Sequence, residues 1–356
     1  KEARNNADQR KKRDGNLLRM LDESEEGMVP CFYVENWVDS ELNQRIVFGH
    51  TRYFRLPYQR TIGEHVPENL KEDKLDLAEA IFGKQGAFAS RVYFEDAELL
   101  GGSKEVHEWV ELNQRLDVPK PTCFQHYLRQ PHGIKTLKHW DSAPEKAPIR
   151  GYKFYWHREF QDSDPQEEPV KKLQAVPRGA KFVGRIRFVN LTRIEVGALL
   201  FVLQLPQNCY HKLGMGKPMG LGTVKITPGL IVSNRQERYS KLFRDCMWET
   251  GAESQLVNPY FEEFENYMLK TLQRLGSRDA GAESLWDTKR LKDLQTMLDW
   301  NHTDLPIWHE ATRYMEVDKK ISGERITEYK DRPVLPEPVE VVKLQKQRSQ
   351  NTKRSN

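Results

Sequence analysis

The sequence predicts an α+β fold, and three observations carry that prediction. Phe182, Ile186 and Phe188 alternate with Val183, Arg185 and Arg187, the period of a strand with one apolar face. Directly after them, Ile194, Val196, Ala198, Leu199, Val202, Leu203 and Leu205 make an apolar helix that stops before Pro206, with Asn190 and Thr192 as candidate caps. Two further helical stripes lie near the C-terminus. Phe261, Phe264, Met268, Leu272 and Leu275 run up to Gly276, and Leu291, Leu294 and Leu298 share one side of the next helix.

Length and charge set the bounds. The 356 residues are enough for one large core or two modest ones. Mean hydropathy is −0.77, so the core must be economical. The net charge of +4 is too mild to imply nucleic acid by itself, and any RNA groove must segregate its basic residues. Cys31, Cys123, Cys209 and Cys246 lie far apart with no CxxC pairing, which suggests free buried thiols in a reducing cytoplasm. No signal peptide or apolar run of membrane-spanning length is found.

Taken in order, residues 1–27 read as a polar, flexible lead-in or linker, and the initial Lys suggests a fragment of a longer polypeptide. Residues 28–34 are strand-like, and 38–50 hold a short helix and strand. Arg52, Arg55, Tyr58 and Arg60 follow, with Tyr53 and Phe54 among them. That mixture suits single-stranded RNA, with guanidiniums on phosphates and rings on bases, and equally suits surface arginines beside core aromatics. Residues 71–82 form an amphipathic helix ending at Gly83, and 89–100 a strand with Asp96 near its end. His107, His126, His132 and His139 with Cys123 raise the question of zinc, but no pair of short ligand spacings makes a self-contained site. Residues 151–158 read as an aromatic strand, and 161–172 as a polar loop. Residues 235–254 form a charged connection, and the basic C-terminal end reads as a solvated tail.

Between the apolar helix and the strand at 223–226 lies a glycine-rich loop. His211, Lys212, Gly214, Met215, Gly216, Lys217, Met219 and Gly220 fall in ten residues, with Gly222 next. Such a loop forms an anion-binding nest of backbone N–H groups or serves packing alone. It is not a Walker loop, because Pro218 follows Lys217 and a strand follows the loop.

Residues 184–205 and 211–226, with three stretches in the same order at 48–67, 81–100 and 120–131, resemble the CRISPR-associated RAMP superfamily. The resemblance covers about residues 29–231. It is strongest to the branch that includes the last backbone repeat of gRAMP, the single-polypeptide type III-E effector. It implies an RRM-like, ferredoxin-like domain at 28–232, after which the residues read as a helical C-terminal extension at 233–335 and a basic disordered tail at 336–356. The implied function is to hold guide RNA and the guide–target duplex in an RNA-guided, RNA-targeting effector. Expected partners are guide RNA, target RNA and other RAMP repeats or subunits, with no membrane. The implied RNA contacts are Arg52, Arg55, Tyr58 and Arg60, and His211, Lys212, Gly214, Met215, Gly216, Lys217, Met219 and Gly220. The family's catalytic loop acid is not recognisable, so the segment is expected to bind without cutting, with any magnesium at sites outside it. The rival is a metal-independent endoribonuclease that trims guide precursors, with His50, His65 or His211 as its acid or base. A third reading is a protein-interaction scaffold.

Overall fold

The computed structural model describes residues 24, 27–38, 43–49, 54, 56–71, 75–101, 108–112, 123–131, 136–151, 153–160, 171–304, 308–313, 319–321, 324–326 and 333–345. The fold is mixed α and β. Among the described residues every sheet is a two-stranded antiparallel ladder. Two compact units divide the chain, one of Lys1–Glu72 with Pro121–Gly151 and one of Asp73–Lys120 with Tyr152–Asn356. Residues of the expected domain at 28–232 fall in both units.

The first unit contains strands β1 (Phe32–Val38) and β2 (Gln44–Gly49), paired antiparallel with an irregularity between Val34 and Trp37. Its buried cluster is Phe124, Leu128, Trp140 and Ala147. His65 explains why segments eighty residues apart join. Its imidazole is 1% exposed, with Nδ1 2.8 Å from the Ala147 carbonyl oxygen and Nε2 2.7 Å from that of Trp140. The Asp141 carboxylate accepts the Gln59 N–H at 2.5 Å, a second tie between the segments.

In the second unit helix α1 (Leu77–Phe82) ends at Gly83, as the sequence predicts, but it starts after Asp76, which caps it, and not at residue 71. Strands β3 (Val92–Phe94) and β4 (Glu98–Leu99) break around Asp96, which is exposed. β5 (Glu108–Leu112) pairs with β6 (Lys171–Ala175). β7 (Phe182–Val183) pairs with β4, and β8 (Ile186–Phe188) with β3, so the alternating stretch is one long irregular ribbon.

Helix α2 (Arg193–Leu203) starts at Thr192, whose side chain and Glu195 complete a capping box. It is apolar on most of its circumference because it is buried on two sides. Ala198 and Phe201 join Ile81, Val92, Phe264 and Leu285, while Val196 and Leu200 join Leu230 and Tyr260. Gly197 lets a second helix come close, since a side chain there would overlap the Tyr260 carbonyl and the Phe264 Cβ.

That second helix is α4 (Asn258–Arg274); it follows β11 (Leu230–Ser233), α3 (Arg235–Ser240), the hairpin β12 (Phe243–Arg244) and β13 (Met247–Trp248), and β14 (Ala252–Gln255). The expected extension therefore shares its core with the glycine-flanked helix and is no separate layer. The charged connection, which shows no clear periodicity in sequence, holds α3 and a hairpin. The hairpin turns on Asp245 and Cys246 at φ 50° and 62°. Helix α5 (Lys289–Leu298) and α6 (Trp308–Thr312) follow.

Two more expectations are corrected. Residues 151 and 153–160 form no strand. Within the tail expected to be disordered, residues 338–345 are helical, because Val341 and Val342 bury themselves against Trp308.

Candidate nucleic-acid interface

The glycine-rich loop closes a hairpin of β9 (His211–Lys212) and β10 (Thr223–Val224), with Thr223 opposite Lys212 and Val224 opposite His211. Gly214, Gly216, Gly220 and Gly222 have φ of 84°, 68°, 103° and 78°. Gly222 has a second reason to be glycine, because a side chain there would overlap the Leu213 carbonyl. The Leu213 N–H donates to the Gly222 carbonyl oxygen at 2.8 Å, closing the neck of the loop. Gly216 accepts from Met219 at 2.9 Å and from Leu221 at 3.2 Å.

The lysines cap the loop's carbonyl groups. Lys212 Nζ donates to the Gly220 and Leu221 oxygens, both at 3.0 Å, and Lys217 Nζ to the Gly214 oxygen at 2.6 Å. The backbone N–H groups of Gly214, Met215, Gly216 and Lys217 have no backbone acceptor among the described residues. Carbonyl oxygens tied down and amides left over give the tip a positive field. Met215 is exposed, and so is the neighbouring Leu213. Lys212 is held to about 8, well below an ordinary lysine, by burial first and then by Arg158 and Lys217.

Beneath the hairpin stands His157, 1% exposed. Its Nε2 lies 2.9 Å from the Tyr210 carbonyl oxygen and its Nδ1 3.0 Å from the Thr223 hydroxyl. A carbonyl only accepts, so Nε2 carries the proton and Nδ1 accepts from Thr223. Burial lowers the ring to about 4 against the pull of the Tyr210 carbonyl, so it is neutral at pH 7. The His157 carbonyl accepts from Trp308 Nε1 at 2.7 Å, and the Tyr210 N–H donates to the Leu298 carbonyl oxygen at 3.1 Å. Trp300 completes the support, 5.8 Å from the His157 ring and 6.3 Å from Tyr210. The C-terminal helices therefore hold the loop's base.

The other expected contacts fall elsewhere. Arg52 and Arg55, with His50, lie outside the described residues. Tyr58 and Arg60 belong to the first unit, where Arg60 Nη1 is 3.7 Å from a Glu64 oxygen. His65 is removed as a catalytic candidate, since both ring nitrogens lie on backbone carbonyl oxygens in a buried site. His211 Nε2 lies 3.0 Å from the Leu203 carbonyl oxygen. Of the cysteines only Cys209 is buried, while Cys31 and Cys246 are exposed. Among the described residues no three His, Cys, Asp or Glu side chains converge as a metal site. His107 and His132 lie outside the described residues. Among the described residues no helix is long and apolar enough to cross a membrane.

The sequence reading missed His157 and Arg158. Both sit at the end of the run taken for an aromatic strand, and two cationic or polar residues closing an aromatic run were the available signal. Comparison with known protein families gives no match, and comparison with characterised proteins gives none.

Proposed function

We propose that this chain is an RNA-binding segment with an RRM-like RAMP fold. It holds guide RNA and the guide–target duplex within a type III, RNA-guided, RNA-targeting effector, beside other RAMP repeats or subunits. The observation that carries the reading is the loop tip, where four successive amides lack a backbone acceptor and the lysine heads neutralise carbonyls. A nest of this kind takes a phosphodiester oxygen without reading the base. Arg52, Arg55, Tyr58 and Arg60 supply a second strip by their composition. The segment itself does not cut RNA.

The test is RNA affinity against salt. A side chain at Gly214 meets nothing within 4 Å, so Gly214→Val alters the tip without a steric clash, though its φ of 84° is strained. Gly214→Val and Lys217→Glu are each expected to weaken single-stranded RNA binding about tenfold at folding matched by circular dichroism. Lys217→Glu should also flatten the salt dependence. Unchanged affinity and slope in both variants refutes the reading. Labelled guide precursor and target RNA should stay intact with and without magnesium, and cutting in either condition assigns catalysis to this segment.

A further inference from the structure

Arg158 is a buried and poorly compensated charge of the second unit. It is 6% exposed, and its Nε is buried without a hydrogen-bond partner. Natural proteins seldom bury an arginine unpaired, because desolvation of the charge is then not offset. Of the groups acting on it, burial and Arg313 disfavour its charge and Glu310 alone favours it. Glu310 is mostly exposed and already bound to Arg313 Nε at 3.0 Å. Lys212 adds a second half-buried cation, held on carbonyl oxygens with no carboxylate. Arg158 and Lys217 both repel it.

The Arg158 backbone lies against the loop. A Cβ on Gly220 would lie 2.7 Å from the Arg158 carbonyl oxygen, so the loop rests on the Arg158 backbone. Arginine cannot relieve burial by losing its proton, and its planar fork matches the oxygens of a phosphate.

We propose that Arg158 and Lys212 form an anion subsite beneath the glycine loop that takes one phosphate group. The inference rests on the RNA-binding reading for its source, a backbone phosphodiester. Free inorganic phosphate offers the same chemistry, and the test separates the two.

Full-length chain is melted in chloride and in inorganic phosphate at equal ionic strength, and its affinity for a single-stranded RNA is measured against salt. The variants are Arg158→Met, which keeps volume and removes charge, and Arg158→Lys. Phosphate is expected to raise the Tm of the unaltered protein, to leave Arg158→Met unchanged and to act partly on Arg158→Lys. RNA affinity should fall about tenfold in Arg158→Met, with a salt slope smaller by about 0.7, one single-strand phosphate contact. An equal phosphate response in Arg158→Met overturns the subsite. So does no response in the unaltered protein, which needs no folded variant and also covers a carboxylate of this chain as the occupant. RNA binding that is intact in Arg158→Met removes the subsite and leaves the RNA reading standing. An Arg158-dependent phosphate response without RNA affinity keeps the subsite, with free phosphate as its source, and removes the RNA reading.

Discussion

Acid should loosen the glycine hairpin through one residue, His157. Its imidazole is neutral in the fold at about 4, against 6.5 in a solvated chain. Between those values the unfolded chain binds a proton that the folded chain refuses, so stability falls as pH drops from 6.5 towards 4. The gap of about 2.5 units corresponds to about 3 kcal/mol when fully expressed, since each unit is 1.36 kcal/mol. Burial is the main cause, and Lys212 and His211 on β9 add repulsion while Asp299 opposes it. Protonation would put an N–H on Nδ1, turning the acceptor of the Thr223 hydroxyl into a donor. The assay is urea unfolding followed by tryptophan fluorescence at half-unit steps from pH 7 to 4.5. Other groups titrate in that range, so the informative quantity is the difference from His157→Gln, which has no titrating ring and retains a donor for the Tyr210 carbonyl. The unaltered protein should lose about 2 kcal/mol more than the variant between pH 6.5 and 4.5. Equal pH slopes would refute the neutral, buried imidazole.

Two further outcomes follow from other parts of the second unit. Glu195 caps α2 by accepting the Thr192 N–H at 2.7 Å and pairs with Arg91, whose Nη1 also donates to the Asn190 carbonyl at 2.7 Å. Burial pushes this carboxyl up, but the Arg91 and Thr192 hydrogen bonds outweigh it and hold it below the ordinary value. Glu195→Ala is expected to cost about 3 kcal/mol in urea unfolding, through an unpaired Arg91 and a lost cap; a loss under about 1 kcal/mol contradicts that account. Among the thiols, burial and Asp299 raise Cys209 to about 11, whereas Cys31 and Cys246 are exposed. Iodoacetamide at pH 8 should label Cys31 and Cys246 first in native protein and Cys209 only after unfolding, as read by peptide mass spectrometry.

What the sequence made legible was local. The Thr192 cap, the apolar run to Leu203 and the stripe from Phe261 to Leu272 each repeat within a few residues, so their periods survive inspection of the chain alone. Leu275 extended the same stripe on paper yet is exposed, because the helix ends at Arg274 and its last turn passes beyond the core. What stayed hidden was set by distant partners. Phe154 to Arg158 has the composition of a strand, but among the described residues no strand pairs with it, and His157 bonds instead to Tyr210, Thr223 and Trp308, which lie fifty to one hundred and fifty residues away. The tail was misread for the same reason, since Val341 and Val342 are too few to make a stripe and acquire a face only against Trp308.

The glycine loop shows both limits at once. Its four positive φ values follow from glycine density, which a sequence displays. The direction of its lysines does not. Lys212 and Lys217 look like unengaged cations in a list of residues, and folded each already donates to the loop's own carbonyl oxygens. Charge reversal at Lys217 would thus remove a carbonyl cap as well as a cation, and loss of binding in that variant alone would not locate the phosphate. Gly214→Val keeps both lysine charges and strains the amide-bearing tip, including the residue whose carbonyl Lys217 caps. If RNA affinity falls in Gly214→Val while the Tm stays within a few degrees, the amides are the ligands. If only the lysine variant loses affinity, the contact is long-range charge and the loop has no nest.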